Sequence, residues 1–441
     1  MPVIGLEAEF KPFVDGQEVV PEEEWRTPAA FIDVPLLRRT NKSSQLPTGG
    51  AVYFDGGVIE VVTPVIEIAS QCTARVVRSL WEQLGFVRDQ LDGWEKRTGR
   101  TVRLQAYSCH FNISFELDRA ERSSKRTIQK LAMLLAYLLP VPVIVAGANR
   151  ESSGMGVRPR RDRIEITLDF TPDPGLMAAT TALIVGIVRD VISWPSYMVS
   201  ELEARGIPVI VGMRPGKHAT RNGWVVRSFH FPADPFKASL DKTTFKLTSG
   251  KRATLRDIAH KVALAFRDSI HRYSDPFSFR LLFSVFRGET MSLLDLPGRP
   301  PAYDDVGRST RWGSALPELH NFAPLMRDSE ETDEAHRRRA LDVEEKLAPP
   351  WRGEQVTDRR GARRASSERR ADVPQPSPRL TRSEYEKVFL KLASGKRLRI
   401  DDELLTPVAV RGWYHGVFRT PGGEERLLSI DDVLDNMDAW T

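Results

Sequence analysis

Glu7 and Glu9 stand two residues apart in Gly5-Leu6-Glu7-Ala8-Glu9-Phe10, alternating with Leu6, Ala8 and Phe10. A period of two is that of a β-strand, so the carboxylates share one face and the apolar residues face a core. Carboxylates so placed sit roughly 6–7 Å apart, close enough to serve one metal cluster. Any half-exposed strand alternates in this way, so the pair needs partners from elsewhere in the chain. Asp55 and Glu60 fall in the stretch 50–64, His110 and Asn112 in Tyr107-Ser108-Cys109-His110-Phe111-Asn112, Arg163 and Glu165 in the alternating run 163–169, and Arg227 and His230 in Arg227-Ser228-Phe229-His230. A hard divalent cation takes carboxylate oxygens with an occasional imidazole, and Mg2+ is held by a few carboxylates together with substrate phosphates. Arginines on neighbouring strands clamp phosphates in bidentate fashion. The combination implies a cavity for metal and nucleotide. It has no Walker-type loop, since Gly154-Met155-Gly156 is too short to count as one.

Taken singly, each residue has a plainer reading. His110 reads as a satisfied core histidine, the cluster Arg158, Arg160, Arg161 and Arg163 as a solvated patch, Glu60 as a surface acid, and Asp55 beside Gly56 and Gly57 as a turn former. Their recurrence on one side of successive strands favours the shared site.

In order along the chain, these stretches resemble motifs of the carboxylate-amine ligase superfamily that includes glutamine synthetase and glutamate–cysteine ligase. Within it they are most similar to the ligase and deamidase/depupylase of the prokaryotic ubiquitin-like protein Pup. Gly5 to Phe10 resembles the opening metal strand, and Tyr53-Phe54-Asp55, Glu60 and Thr63-Pro64 the segment of Tyr-x-Asp, Glu and Thr-Pro. Tyr107 to Asn112 resembles Tyr-Gly-Cys-His-x-Asn, Arg160 to Glu165 the Arg-x-Asp-x-x-Glu strand, and Arg227 to His230 the Arg-x-x-His motif. Val58 stands where the family usually has His or Pro, and Ser108 where it has Gly. The resemblance implies metal ligation by Glu7, Glu9, Glu60, His110 and His230, with Glu165 as a further candidate. It implies nucleotide contacts from Arg160 and Arg227, joined by Arg163 and Asn112, and a catalytic Asp55. The cofactors implied are ATP and Mg2+, with Mn2+ as the alternative ion.

The fold implied is α+β: a curved antiparallel sheet cradle backed by helices, as in glutamine synthetase, with a small C-terminal α+β domain. The activity implied is an amide or isopeptide ligase that activates a carboxylate as an acyl phosphate. Its partner would be a protein or peptide with a glutamate-type carboxylate, and an amine would be the acceptor. Two alternatives stay open: an amidase or isopeptidase on the same scaffold, with Asp55 as nucleophile or activator of water, and an inactive nucleotide-binding module whose Arg-rich linker docks an acidic partner.

The elements that must position these residues follow from composition and periodicity. Of 441 residues, 41% are hydrophobic and 28% charged, the balance of a soluble globular chain with one large domain and a smaller one. A net charge of +5 suits anionic ligands such as nucleotides and is too small to argue for nucleic acid. Cys72 and Cys109 are too few for a disulfide framework or a thiolate metal site, so a reducing, cytoplasmic setting is expected. No signal-like segment opens the sequence, and the longest apolar run, 131–148, contains Pro140 and Pro142, so no membrane span is expected.

Residues 11–48 read as a long loop and 50–64 as a hairpin turning at Asp55-Gly56-Gly57. Helices are predicted over 72–97, 124–139, 176–199 and 255–273, and strands over 102–115, 141–147, 163–169 and 224–231. A mixed-sign charged helix is expected over 327–346. The catalytic domain is taken as 1–350, an Arg/Pro-rich linker as 351–378, and the C-terminal domain as 379–441, with a helix at 382–394, strands at 407–418 and 426–430, and a short last helix.

Overall fold

The computed structural model describes residues 2–39, 43–117, 123–313, 387–388, 391–392, 394–411 and 415–441. The expected charged helix at 327–346 and linker at 351–378 lie outside them.

Strand β1 (Val3–Val14) is the axis of the sheet, its even residues buried and its odd ones partly open. That alternation is the sequence pattern turned into two faces: Leu6, Ala8 and Phe10 have no exposed surface and face helices, while Glu7 and Glu9 face away from them. On one side β1 pairs with β6 (Val58–Val62), and on the other with β8 (Val102–Ser114), both antiparallel. Strand β5 (Ala51–Asp55) returns against β6 through Gly56 and Gly57, whose φ values of 60° and 90° are those a tight hairpin turn requires.

The segment expected as a loop instead continues β1 to Val14. It then turns at Asp15-Gly16 into β2 (Gln17–Glu18), a short helix α1 (Pro21–Glu24), and strands β3 (Leu37–Arg39) and β4 (Ser44–Gln45). A short strand, β7 (Ile66–Glu67), pairs with the start of β1.

Beyond β8 the sheet continues through β10 (Arg163–Leu168), β9 (Met155–Pro159), β12 (Trp224–Val226) and β11 (Gly216–Lys217). Beyond β5 it runs through β4 and β3 to β16 (Glu403–Arg411), β17 (His415–Arg419) and β18 (Glu425–Ser429), with β15 (Leu398–Ile400) paired to β16. Every neighbouring pair is antiparallel except β3 with β16. A separate hairpin joins β13 (Thr244–Lys246) and β14 (Arg252–Thr254). The fold class is therefore α+β, a many-stranded mixed sheet backed by helices. The C-terminal strands and helix α10 (Ile430–Asp435) enclose an apolar cluster of their own that includes Leu405, Val410, Phe418 and Trp440.

Helices α2 (Cys72–Thr98) and α5 (Pro174–Ile192) cover the apolar face of the sheet, where the Phe170 ring lies 5.0 Å from Phe10 and 5.4 Å from Trp81. Asp173 caps α5 by accepting from the Leu176 N–H at 2.8 Å. This helix is apolar and long enough to cross a membrane, yet 83% of its most apolar window is buried within the protein, as a core helix requires. It ends at Ile192, short of the expected 199.

Residues 141–147, expected as a strand, form helix α4 (Pro140–Gly147), bent by 58° from α3 (Ile128–Leu138). All eight residues of α4 are buried, and an unbroken apolar run looks the same in a buried strand and a buried helix. Pro140 and Pro142 fall in the first turn, where no backbone N–H needs a partner. The helix expected over 255–273 is two, α7 (Leu255–Ala265) and α8 (Arg267–Tyr273), and is followed by α9 (Pro276–Arg287). The strand expected over 224–231 stops at Val226, and a single 3-10 turn, Ser228–His230, completes it.

Gly186 marks where α5 meets α8: a Cβ there would lie 2.6 Å from Ile270 Cα and 2.8 Å from its backbone nitrogen. Backbone cannot yield as a side-chain tip does, so Gly186→Ala should cost about 1–3 kcal/mol through overpacking. Urea unfolding measures this, and an unchanged midpoint would show that the two helices separate freely.

Candidate active site

Cross-strand register gathers the polar residues in rows on the open face. Tyr53, Glu60, Glu9 and Ser108 lie opposite one another across β5, β6, β1 and β8. Next to them run Glu7, His110, Thr167 and Gly156, across β1, β8, β10 and β9, and then Gly5, Asn112, Glu165 and Arg158. Directly paired residues of an antiparallel ladder share a face, so the rows form one polar patch.

The acids are crowded. His110 is 6% exposed, and its Nδ1 lies 3.3 Å from Glu7 Oε2 while its Nε2 lies 3.4 Å from Glu9 Oε1. Burial works against the imidazolium, but the bond to Glu7 and the charges of Glu9 and Glu165 outweigh it and raise the His110 pKa above its ordinary value. Burial likewise pushes the Glu7 carboxyl up, and its bond to His110 with the charges of His110 and Arg163 brings it below the usual range. Glu60, 3% exposed, is pushed up to about 8, by burial first and then by the charges of Glu9 and Glu7, although Tyr53 donates to it. Burial and the charges of Glu7 and Glu60 in turn raise the Tyr53 phenol.

A cavity of about 390 Å3 opens on this face, with Glu9, Asp55, Asp169, Arg158, Arg221 and Arg227 among the residues that line it. Gly156 lies on its wall in the row of His110 and Thr167. The hydroxyls of Ser108 and Thr167, also in the lining, are buried and have no hydrogen-bond partner among the described residues. Asp55 is exposed at the end of β5. His218 accepts from the Arg221 N–H at 3.1 Å, and burial, followed by the charges of Arg158, Arg221 and Arg227, holds its pKa low.

The six residues expected as metal ligands thus divide among three places. Glu7, Glu9, Glu60 and His110 are together. Glu165, 1% exposed, is instead ion-paired with Arg158 and with Arg160, whose Nε donates to it at 2.7 Å. His230 sits on the 3-10 turn, where its Nδ1 accepts from the Arg227 backbone at 2.9 Å, and it does not line the cavity. Among the described residues no three of His, Cys, Asp and Glu converge as a ready metal-binding group. The donors nonetheless suit a hard cation. Three carboxylates stand together with their repulsion only partly relieved, and Glu60 resists ionisation through its burial first and the charges of Glu9 and Glu7 second.

Of the expected nucleotide contacts, Arg227 lines the cavity, while Arg163 donates to Asn112 Oδ1 at 2.8 Å and Arg160 is held by Glu165. Asp169, His218, Arg221 and Tyr107 also line the cavity and were not expected there. His218 and Arg221 belong to a polar stretch with no periodicity. Tyr107 is the extra residue of a bulge at which Glu9 pairs with Ser108 but Phe10 with Ala106. Only the bulge turns it toward the cavity.

Among solved structures, the chain is similar to the Pup ligase PafA in its complex with the prokaryotic ubiquitin-like protein Pup, at 12% identity and a TM-score of 0.45, over 99% of this chain and 92% of that one. It is also similar to PafA in complex with ADP, at 10% identity and a TM-score of 0.42, over 91% of each chain. No protein-family model matches the chain, and no curated protein does.

Because Glu60 binds its proton more tightly folded than unfolded, the folded state holds the extra proton between the ordinary carboxyl range and about pH 8. Stability contributed by this group is therefore present at low pH and lost as pH rises through about 8. Glu60→Gln, which keeps an acceptor for Tyr53, should match the wild type near pH 5 and exceed it above pH 8, on the order of a few kcal/mol. Urea unfolding at the two pH values tests this, and a gap that does not change with pH would show that Glu60 titrates normally.

Proposed function

We propose that the chain is an ATP-dependent carboxylate-amine ligase assisted by Mg2+ or Mn2+, joining a glutamate-type carboxylate of a protein or peptide to an amine. The observation that carries the reading is the division of charge within one cavity. Arg158, His218, Arg221 and Arg227 stand on or beside β9 and β12, while Glu9 and Asp55 stand on β1 and β5, with Glu7 and Glu60 beside them. The order of the motifs from Gly5 to His230 supports it as well.

A carboxylate is a poor electrophile, and bound ATP supplies the phosphoryl group that makes it a good one. The protein's own part is positioning and charge. Glu7, Glu9 and Glu60 would hold the cation, since they offer oxygen donors and gain by neutralisation. Arg158, Arg221 and Arg227 would neutralise phosphate oxygens, Arg227 and Arg221 being exposed enough to reach a ligand and Arg158 being the buried member. Asp55, at the end of its strand and open to solvent, can accept the proton that the attacking amine must lose at its Oδ atoms. The same carboxylate could instead direct water at an amide bond, so the two reactions on this scaffold are separated by product and not by site.

The test is the mass of products formed from ATP, Mg2+, a glutamyl peptide and a primary amine. A condensed product with one ATP consumed is expected, whereas ATP-independent cleavage of an amide-linked conjugate with no condensation would overturn the reading in favour of a hydrolase. Asp55→Asn should lower kcat by ~10²–10⁴ with ATP affinity retained. Arg227→Ala should weaken ATP binding by ~10-fold or more, because a charge-assisted contact is lost.

A further inference from the structure

One carboxylate of the cavity is used neither in holding the cation nor in taking the proton of the amine. Asp169 follows β10 directly and lines the cavity, as Ser108 and Tyr107 do, and the last register pair of β10 with β8, Leu168 with Cys109, places it next in line with Ser108. It accepts from the Ser152 hydroxyl, and Arg299 is the cation that acts on it. Arg299 is committed elsewhere: its Nη2 donates to Asp304 at 2.5 Å, its Nε lies 3.9 Å from Glu151, and its guanidinium stacks 5.3 Å from the Tyr303 ring. The Asp169 charge is therefore poorly compensated, and burial raises its pKa. The same lining holds the buried, partnerless Ser108 hydroxyl and the half-exposed Tyr107 ring. That ring already receives an ammonium group, since Lys11 Nζ lies 5.6 Å from its centroid.

A half-buried acid, an unpartnered hydroxyl and an aromatic face are the complements of a primary ammonium on an alkyl stem, which offers three N–H donors and an apolar shaft. Although β9 is the strand next to β10, the arginines of the cavity are not among the charges that act on the Asp169 carboxylate, for which Arg299 is the one cation. We propose that Asp169, with Ser108 and Tyr107, is the subsite that receives the ammonium end of the amine substrate. Asp169 and Ser108 accept its hydrogen bonds, and the Tyr107 ring flanks the stem. Its assignment to the acceptor amine rests on the ligase reading, while the cation subsite itself is testable without turnover.

The test uses the full chain, with pentylammonium as probe and pentan-1-ol as its uncharged counterpart, each followed by saturation-transfer NMR. Pentylammonium should bind at least ~10-fold more tightly than the alcohol. Asp169→Asn should remove that preference and leave ATP binding unchanged, and Tyr107→Leu should weaken both probes by ~3-fold. Equal binding of the two probes, undiminished preference in Asp169→Asn, or no detectable pentylammonium binding would each overturn the subsite. Should Asp169→Asn fail to fold, Tyr107→Leu, at a half-exposed position, decides the matter: undiminished pentylammonium binding would overturn it. A chain that shows the cation preference but condenses no amide keeps this subsite and loses the ligase reading.

Discussion

Like charge held in the middle of a hydrogen-bonded sheet is the constraint on which this site depends. Glu9 and Glu60 face each other across β1 and β6, with Glu7 one pleat further along, and β1 is pinned by ladders on both sides. The reverse face fixes the register. Leu6, Ala8 and Phe10 are fully buried, and a slip of one residue would send them to the open face and the acids into the core. The charges are thus kept together by apolar burial on the far side of the same strand. The part of the molecule that looks purely structural is what makes a metal-like acid patch sustainable.

Strand order then separates the charges. Read across the sheet, acids lie on β6 and β1, mixed groups on β8 and β10, and bases on and beside β9 and β12. The motifs follow the same course along the chain: acids alone come first, both signs mix only from Arg160 to Glu165, and bases alone come last. Glycine lets the basic strands come close. A Cβ on Gly154 would meet Val226 O at 2.3 Å, and one on Gly223 would meet Val157 O at 2.6 Å, with φ values of 133° and 136° that L side chains rarely adopt. The cavity owes the closeness of its basic wall to those two approaches.

What was legible in the sequence was whatever a period of two reveals. The acid face of β1, the hairpin at Asp55 and the polar faces of β8 and β10 could be read because alternation states which residues share a side. It does not state which partner each residue meets. Alternation puts Glu165 on the same face as the acids of β1, but does not show that Arg158 directly opposite and Arg160 two residues beyond the register pair would be its ion-pair partners. His218 and Arg221 reach the cavity from an aperiodic stretch, and Tyr107 through a bulge, so neither had a pattern to announce it. The α4 segment failed for a different reason: complete burial erases the polar face by which helix and strand are told apart.

His110 shows how the acid patch is balanced by the protein alone. Its imidazole is buried, which opposes charge, yet contact with Glu7 and Glu9 raises its pKa, so it serves as a counter-ion to that pair. Glu60, across the ladder from Glu9, has its carboxyl pushed up to about 8, by burial first and then by the charges of Glu9 and Glu7. The patch thus eases its own repulsion in two ways, by an imidazole set between Glu7 and Glu9 and by a third carboxyl whose burial disfavours its charged form. Both depend on the same ladder, because His110 faces Glu7 and Glu60 faces Glu9 only while β8 and β6 keep their register on β1.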